Sequence, residues 1–294
     1  MNRPNPSRTV LLFRAALLAL LIPLCPVAAL ADRETVDGIL WVYEVENGKA
    51  SLGACAVPHA TEGTVTVPSQ LGGCPVTRVG DYAFYACDQI VRVILPDGVE
   101  MIDEHAFQDC TALEAVEIPD TVDHIGYYAF YNCPSLMAVK LPEKISAIGN
   151  YAFSGCGALA SVEWPDGLVS IGISSFSHCT SLTAAKLPPR VEKIGDYAFC
   201  TCTALREVVL PKGLKTIGAD AFFDCSALEE LEIPKSVTEL GKESLSGTAL
   251  KKIVLLGRPN RPYAIWDVPE ECVWVDGKGK TVPPDPEKEE EDTP

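Results

Sequence analysis

Histidine and cysteine, two residue types that often do chemistry in proteins, are distributed very differently along this sequence. The four histidines lie far apart, at His59, His105, His124 and His178. A metal site needs three or four ligands that converge on one ion, and these histidines form no such group. No Ser-His-Asp arrangement and no phosphate-cradling glycine loop is present. The sequence therefore predicts no enzyme, no metal site, no cofactor and no catalytic residue.

Seven of the twelve cysteines recur every 23 residues, at Cys87, Cys110, Cys133, Cys156, Cys179, Cys202 and Cys225. In an exported protein, twelve cysteines would ordinarily indicate a disulfide framework. If each 23-residue repeat forms one coil and the coils stack, however, successive sulfurs would lie on parallel Cα–Cβ vectors about 4.8 Å apart. A disulfide needs facing Cβ atoms, roughly 3.5–4.5 Å apart. We therefore predict that this cysteine ladder consists of buried free thiols.

The other cysteines that follow residue 31 do not fall at this 23-residue interval. Cys200 is predicted to point outward and to be the more reactive thiol, because tyrosine stands at the same place in two other repeats, at Tyr85 and Tyr131. The redox state of Cys55, Cys74, Cys200 and Cys272 is left open by the spacing.

Tyrosines follow the same period and form an aromatic column, at Tyr82, Tyr128, Tyr151 and Tyr197, with Tyr85 and Tyr131 at the neighbouring turn position. His105 stands where other repeats have tyrosine. In stacked coils these rings should lie along one edge. They could form a solvent-facing ladder that tightens the stacking of the coils. They could instead serve as a platform for a sugar.

Other residue types repeat with the cysteines, and each has a structural reason. Proline, as at Pro142, stops a strand because it has no N–H to donate. Glycine, as at Gly149, is predicted to permit a turn with positive φ, and Asp103 fills the one missing glycine place. Asn150 and its equivalents follow as expected caps of a short helical turn. Phe153 and its equivalents should point inward.

The period predicts a β-rich repeat solenoid, a leucine-rich-repeat array with one parallel strand and one short helical turn per 23-residue coil. Eight coils are expected over 68–255: one at 68–95 with an insertion, six regular ones over 96–233 and a decayed one at 234–255. Residues 32–67 are predicted to form an N-terminal β cap, with a hairpin around Asn47-Gly48. Residues 256–282 should form a C-terminal cap, and the acidic residues of 283–294 a disordered tail.

Residues 1–31 are typical of a secretory signal peptide, with three arginines, an apolar stretch and the small-residue motif Ala29-Leu30-Ala31. Cleavage after Ala31 would take the net charge from −16 to −19, because the segment carries three arginines and no acid. A chain that acidic repels nucleic acid and anionic lipid. We expect a monomer that binds a protein ligand and neither nucleic acid nor, once cleaved, a membrane.

The outward positions of the predicted strands offer a binding surface. They are small and neutral in mid-array and become densely charged further along the chain. The predicted ligand-binding residues are Met137, Ala160, Thr183, Arg206, Glu229, Glu230, Lys251 and Lys252. A protein partner could approach closely at the small residues, and the charges would orient it more than they would add affinity.

Two stretches of the repeat, L-G-G-C-P-V-T-R-V-G-D-Y-A-F-Y-A-C (71–87) and V-E-K-I-G-D-Y-A-F-C-T-C-T-A-L (191–205), carry a family resemblance. They closely resemble the BspA-like bacterial leucine-rich-repeat family, a subtype also seen in treponemal surface proteins, and the resemblance spans 63–255. It implies an exported module for adhesion to, or recognition of, host or neighbouring-cell proteins. A carbohydrate or cell-wall module that uses the tyrosine edge is the alternative. Secretion, the cell surface and the periplasm all stay open, because no sorting motif or anchor follows the repeats.

Overall fold

The chain folds as a β-solenoid of about nine turns of roughly 23 residues, with no helix among the described residues. The computed structural model describes residues 31–257, 269 and 271–281. The predicted signal peptide, apart from Ala31, and the predicted acidic tail lie outside these residues, as does part of the predicted C-terminal cap.

The N-terminal strands, numbered along the chain, are β1 (Asp32–Val36), β2 (Ile39–Glu46) and β3 (Lys49–Leu52). They pair antiparallel in sequence order. The predicted hairpin is present between β2 and β3, where Asn47 and Gly48 both have positive φ, as a two-residue turn requires. A second hairpin joins β5 (Gln70–Leu71) to β6 (Cys74–Val79).

The main strands lie on one side of the coils and form the surface that we call the sheet face. They are β4 (Gly63–Thr66), β7 (Ile90–Ile94), β9 (Ala115–Glu117), β11 (Ala138–Lys140), β13 (Ser161–Glu163), β15 (Ala184–Lys186), β17 (Glu207–Val209), β19 (Glu230–Ile233), β21 (Lys252–Leu255) and β22 (Val273–Asp276). Paired strands are parallel, and in mid-array they are in register at the 23-residue interval, so that Val139 lies beside Val162. Register places equivalent side chains in straight columns.

A second parallel ladder runs along the coils, which corrects the prediction of one strand per coil. It consists of two sheets. The first contains β6, β8 (Met101–Ile102) and β10 (His124–Ile125), and the second contains β12 (Ala147–Ile148), β14 (Ser170–Ile171), β16 (Lys193–Ile194), β18 (Thr216–Ile217) and β20 (Glu239–Leu240). Strand β3 joins its N-terminal end by pairing with β6. The ladder is very short because proline and glycine bound the extended segment of each coil.

The predicted short helical turn is wrong. In the segment predicted to be helical, alternate residues donate their N–H groups to the next coil. Tyr128 donates to the Asn150 carbonyl (3.0 Å) and Phe130 to the Ala152 carbonyl (2.7 Å). The Tyr131 N–H donates to the carbonyl of Tyr128, three residues earlier (3.0 Å). Tyr128 has φ 57° and the equivalent position recurs with positive φ in every regular coil. An α-helix cannot contain left-handed residues or give its N–H groups to a neighbour.

The polar residues expected as helix caps have a different role. Asn150 Oδ1 accepts the N–H of Ile173, and Asp196 Oδ1 that of Ala219, both at 2.8 Å. Each of these side chains therefore bonds to the coil that follows its own. The backbone N–H at the start of the turn has no partner in a strand, and the side-chain oxygen accepts its hydrogen bond instead.

The recurring glycines, Gly149 and its equivalents, form a glycine column, and none of them has positive φ. The prediction that glycine is needed there for a turn with positive φ is therefore wrong. A Cβ on Gly195 would lie 2.8 Å from the carbonyl carbon of Gly172 in the preceding coil. Glycine is needed because two backbones approach closely. Asp103, predicted to have positive φ, does not have it either; its buried carboxylate pairs with Arg78.

Two ladders of side chains fill the interior. Successive phenylalanine rings from Phe84 to Phe222 stack with centroids 4.8–5.6 Å apart, and all are fully buried. The cysteine ladder consists of buried free thiols, as predicted. From Cys110 onward each thiol donates to the carbonyl of the phenylalanine 26 residues before it, for example Cys179 to Phe153 at 3.3 Å.

Candidate protein-binding surface

The small residues predicted for binding lie together on the sheet face. Met137, Ala160 and Thr183 stand at equivalent places just before three successive main strands, and all are exposed. The Ala160 N–H donates to the Met137 carbonyl at 2.9 Å, which holds the column in line. Beside it, Ala138 lies in register with Ser161. Met137, 52% exposed, is the one large side chain of this patch.

The charged residues predicted for binding continue the same columns. Lys251 pairs with Glu229 (2.7 Å) and Lys252 with Glu230 (3.6 Å), each across neighbouring coils. Such exposed pairs contribute about 0–1 kcal/mol each. Arg206, also exposed, stands between this group and the small residues. The charges at this end thus compensate one another across coils.

In a third column of the sheet face, acidic and basic residues alternate between adjacent coils, at Glu117, Lys140, Glu163 and Lys186. Lys140 is indeed in register with Glu163. Lys140 nevertheless lies 3.8 Å from Asp120, and Lys186 lies 3.1 Å from Glu207, a residue of the next strand but of a different column. These ion pairs are diagonal because long lysine side chains can reach beyond the residue directly opposite.

The aromatic column forms the stack that the sequence predicted. Ring centroids are 4.6 Å apart from Tyr82 to His105, 4.9 Å from His105 to Tyr128, and 4.7 Å from Tyr128 to Tyr151. Each interplanar angle is 6° or less. The inner rings therefore cover one another's faces and present only edges to solvent. A sugar platform needs an open face, which these inner rings do not offer.

The stack ends at Ser174, and Tyr197 stands one coil beyond it. Ser174 keeps the left-handed backbone of the column, with φ 52°. Two exposed apolar residues that the sequence analysis overlooked lie next to this edge, Tyr127 and Ile173. The sequence does contain a signal for these two residues. They stand in a column that is otherwise mostly polar, with Asp81, Glu104, Asn150 and Asp196.

The remaining candidates for chemistry do not converge. His124 lies on strand β10, and within the described residues no group of three His, Cys, Asp or Glu could hold a metal ion. The same part of the chain contains no helix suited to crossing a membrane. Cys200 is only 9% exposed, which corrects its predicted outward position. It lies 3.4 Å from the Thr201 hydroxyl.

Comparison with known proteins agrees with this architecture. The family model described as the BspA type leucine rich repeat region matches in six copies, over residues 77–203 and 146–259. A leucine-rich repeat protein of T. pallidum has a similar solved structure, with 27% identity and a TM-score of 0.60, over 81% of this chain and 92% of that one. Among curated proteins no match was found.

Two further solved structures are similar. A leucine-rich repeat protein of Bacteroides ovatus is 21% identical with a TM-score of 0.59, over 84% of this chain and 77% of that one, and shows the fold alone. A leucine-rich cell surface protein of Faecalibacterium prausnitzii is 25% identical with a TM-score of 0.57. That alignment covers 78% of this chain and 56% of the other.

Proposed function

The chain belongs to the BspA-type leucine-rich repeat family, and from this premise we propose that it is an exported protein-binding module for adhesion or recognition. Proteins of this family are generally protein-interaction modules and are generally not enzymes. The similar Faecalibacterium prausnitzii structure is that of a cell surface protein, which supports a location outside the cytoplasm.

The sheet face is the proposed binding surface, and one observation carries this choice. Exposed small, uncharged side chains occupy the columns through Ala160 and Ser161, directly over the backbone of parallel strands. A partner's backbone could therefore approach closely over several coils. Repeat arrays bind extended or convex partners on surfaces of this kind.

The charged end would set the orientation of the partner. Glu229 with Lys251, and Glu230 with Lys252, present both signs within two coils. A partner with complementary charges would be guided to one register along the face, with little gain in affinity, because exposed pairs are weak.

The test begins with binding of the chain to purified extracellular matrix proteins and, in parallel, to polysaccharides. We then compare Ala160→Arg with Thr183→Arg on the sheet face against Tyr82→Ala with Tyr128→Ala on the aromatic column. The sheet-face variant should lose binding to the matrix protein while the aromatic variant keeps it. Circular dichroism controls for folding. Loss in the aromatic variant alone, or binding only to polysaccharides, would overturn the proposal.

A further inference from the structure

The aromatic column has one missing ring in an otherwise continuous backbone. The Tyr151 N–H donates to the Ile173 carbonyl, and the Ser174 N–H donates to the Asp196 carbonyl, both at 2.8 Å. Tyr151, Ser174 and Tyr197 have φ of 59°, 52° and 57°. Three successive coils therefore present this position in the same conformation. Only the side chain at Ser174 breaks the sequence of rings.

The gap has the dimension of one aromatic ring. Two coil steps separate Tyr151 from Tyr197, or about 9.6 Å at the usual strand spacing. Rings in this column stack at 4.6–4.9 Å per step. One flat ring placed midway would thus stand at stacking distance from both tyrosines. We call this space, above Ser174 and between the two tyrosines, the ring slot.

Ser174 lies at the covered floor of this space, and Tyr197 is the more exposed of the two tyrosines beside it. Ser174 is only 6% exposed, as expected of a short side chain between taller neighbours. Tyr197 is 46% exposed, slightly more than Tyr82 at the far end of the stack, which has one face covered by His105. Asp220 accepts a hydrogen bond from the Tyr197 hydroxyl, which raises the pKa of that tyrosine and restrains its ring.

The flat shape of the space and the apolar surface at its rim favour an aromatic occupant. Asn150 Oδ1 and Asp196 Oδ1 already accept backbone N–H groups at 2.8 Å. Ile173, also at the rim, adds an exposed aliphatic surface. A puckered sugar ring would bring several hydroxyls that need partners, whereas an aromatic ring needs only the two tyrosine faces.

We propose that the ring slot binds one aromatic side chain of a protein partner, whose ring completes the interrupted stack. The site is separate from the sheet face and rests on the proposed function only in that the occupant comes from a protein. Aromatic side chains often dominate the energy of protein interfaces, and a slot between two tyrosines would fix such an anchor in orientation.

The experiment uses p-cresol, the analogue of a tyrosine side chain, so it needs no known partner. NMR follows the Ile173 methyl groups of the full chain during titration, with the buried Ile233 as the distant control. Ring-current effects should shift the Ile173 signals saturably and leave Ile233 unchanged. A parallel titration with methyl β-glucoside should shift neither. No Ile173 shift up to the solubility limit of p-cresol, or a shift with the glucoside instead, would overturn the proposal.

Variants distinguish binding of p-cresol in the ring slot from nonspecific binding elsewhere on the chain. Ser174→Tyr should fill the slot with its own ring, fold as the tyrosines of the same column do, and abolish the shift. Tyr197→Ala removes one wall and should weaken p-cresol binding about tenfold. Tyr82→Ala, at the other end of the column, should leave it unchanged. An undiminished shift in both Ser174→Tyr and Tyr197→Ala would rule out the slot, and it would leave the sheet-face proposal untouched.

Discussion

Each phenylalanine of the interior contributes to two coils at once, because its ring stacks on the equivalent ring on either side. Phe153 is fully buried, with ring centroids 5.1 Å from Phe130 and 5.3 Å from Phe176. Phe153→Ala should lower the free energy of unfolding by about 3–5 kcal/mol, because the cavity lies in the middle of the stack. Urea denaturation measures it, with the exposed Met137→Ala as control. A loss below about 1 kcal/mol would mean that the neighbouring coils collapse into the space.

The thiols link stability to pH. Burial raises the pKa of Cys87, Cys156 and Cys225 from 9.0 to about 12. Between these values the unfolded chain ionises its thiols while the folded chain keeps them protonated, so the folded state binds more protons. Stability contributed by the neutral thiol is therefore complete below pH 9 and is lost as the pH rises toward 12.

Cys156→Ala isolates the contribution of one thiol from other groups that titrate in this range. Above pH 9 the wild-type chain should lose up to about 1.4 kcal/mol per pH unit more than the variant. The measurement is the difference between their free energies of unfolding from pH 8 to pH 10.5. A difference that stays constant over this range would contradict the burial of the Cys156 thiol.

At the scale of the element, the glycine column keeps the second ladder of strands close to the turns that follow. A Cβ on Gly195 would lie 2.8 Å from the Ile173 nitrogen and 2.9 Å from the Gly172 oxygen, both backbone atoms. Gly195→Ala should therefore cost about 1–3 kcal/mol, since the backbone of two coils must separate. Gly213→Ala is the matched control, because its Cβ would meet only the Pro189 oxygen at 3.6 Å. Equal thermal midpoints for the two variants would refute close approach as the reason for glycine.

The elements also show where reasoning from the sequence succeeded and failed. The 23-residue period was sufficient to predict the parallel main strands, the phenylalanine ladder and the free thiols, because each depends only on register. The turn was predicted as helical because its apolar spacing resembles one helical turn. Left-handed tyrosines cannot be read from residue type, since tyrosine rarely has positive φ.

One signal of the true turn was nevertheless present. The position that precedes each ladder cysteine, and that precedes Thr248 in the last repeat, also has positive φ, and its residues are Ala86, Asp109, Asn132, Gly155, His178, Thr201, Asp224 and Gly247. Glycine, asparagine and aspartate are the residues that most readily adopt this conformation, and they hold five of these eight places. That column, and not the periodic glycine column, marked the left-handed backbone.

For the whole molecule, periodicity explains why the candidate surfaces were only partly predictable. The sheet-face residues were identified because outward positions follow directly from register, and the structure places them in the expected columns. The ring slot could not be predicted, because it depends on the ring orientation of Tyr151 and Tyr197 and on the covered position of Ser174. A missing side chain in a column acquires meaning only when its neighbours are seen to stack.

The same periodicity makes one deletion informative at this scale. Removal of 165–187, one coil of 23 residues, joins Trp164 to Pro188, which follows a main strand as Pro165 does. The shortened array should still fold cooperatively, because each coil contacts only its neighbours. The m value of its urea denaturation should fall, because a shorter chain exposes less surface when it unfolds. Tyr151 would then stack directly on Tyr197, so the ring slot would disappear.

Two further deletions give this prediction its controls. Removal of 188–210, also one coil, takes out Tyr197 and should likewise preserve folding. Removal of 165–176 changes the register by about half a coil and should abolish the cooperative transition, because apolar residues of one coil would face solvent in the next. Circular dichroism during urea denaturation distinguishes these cases. If both one-coil deletions unfold the chain, its stability resides in specific coils and not in a repeating interface between neighbours.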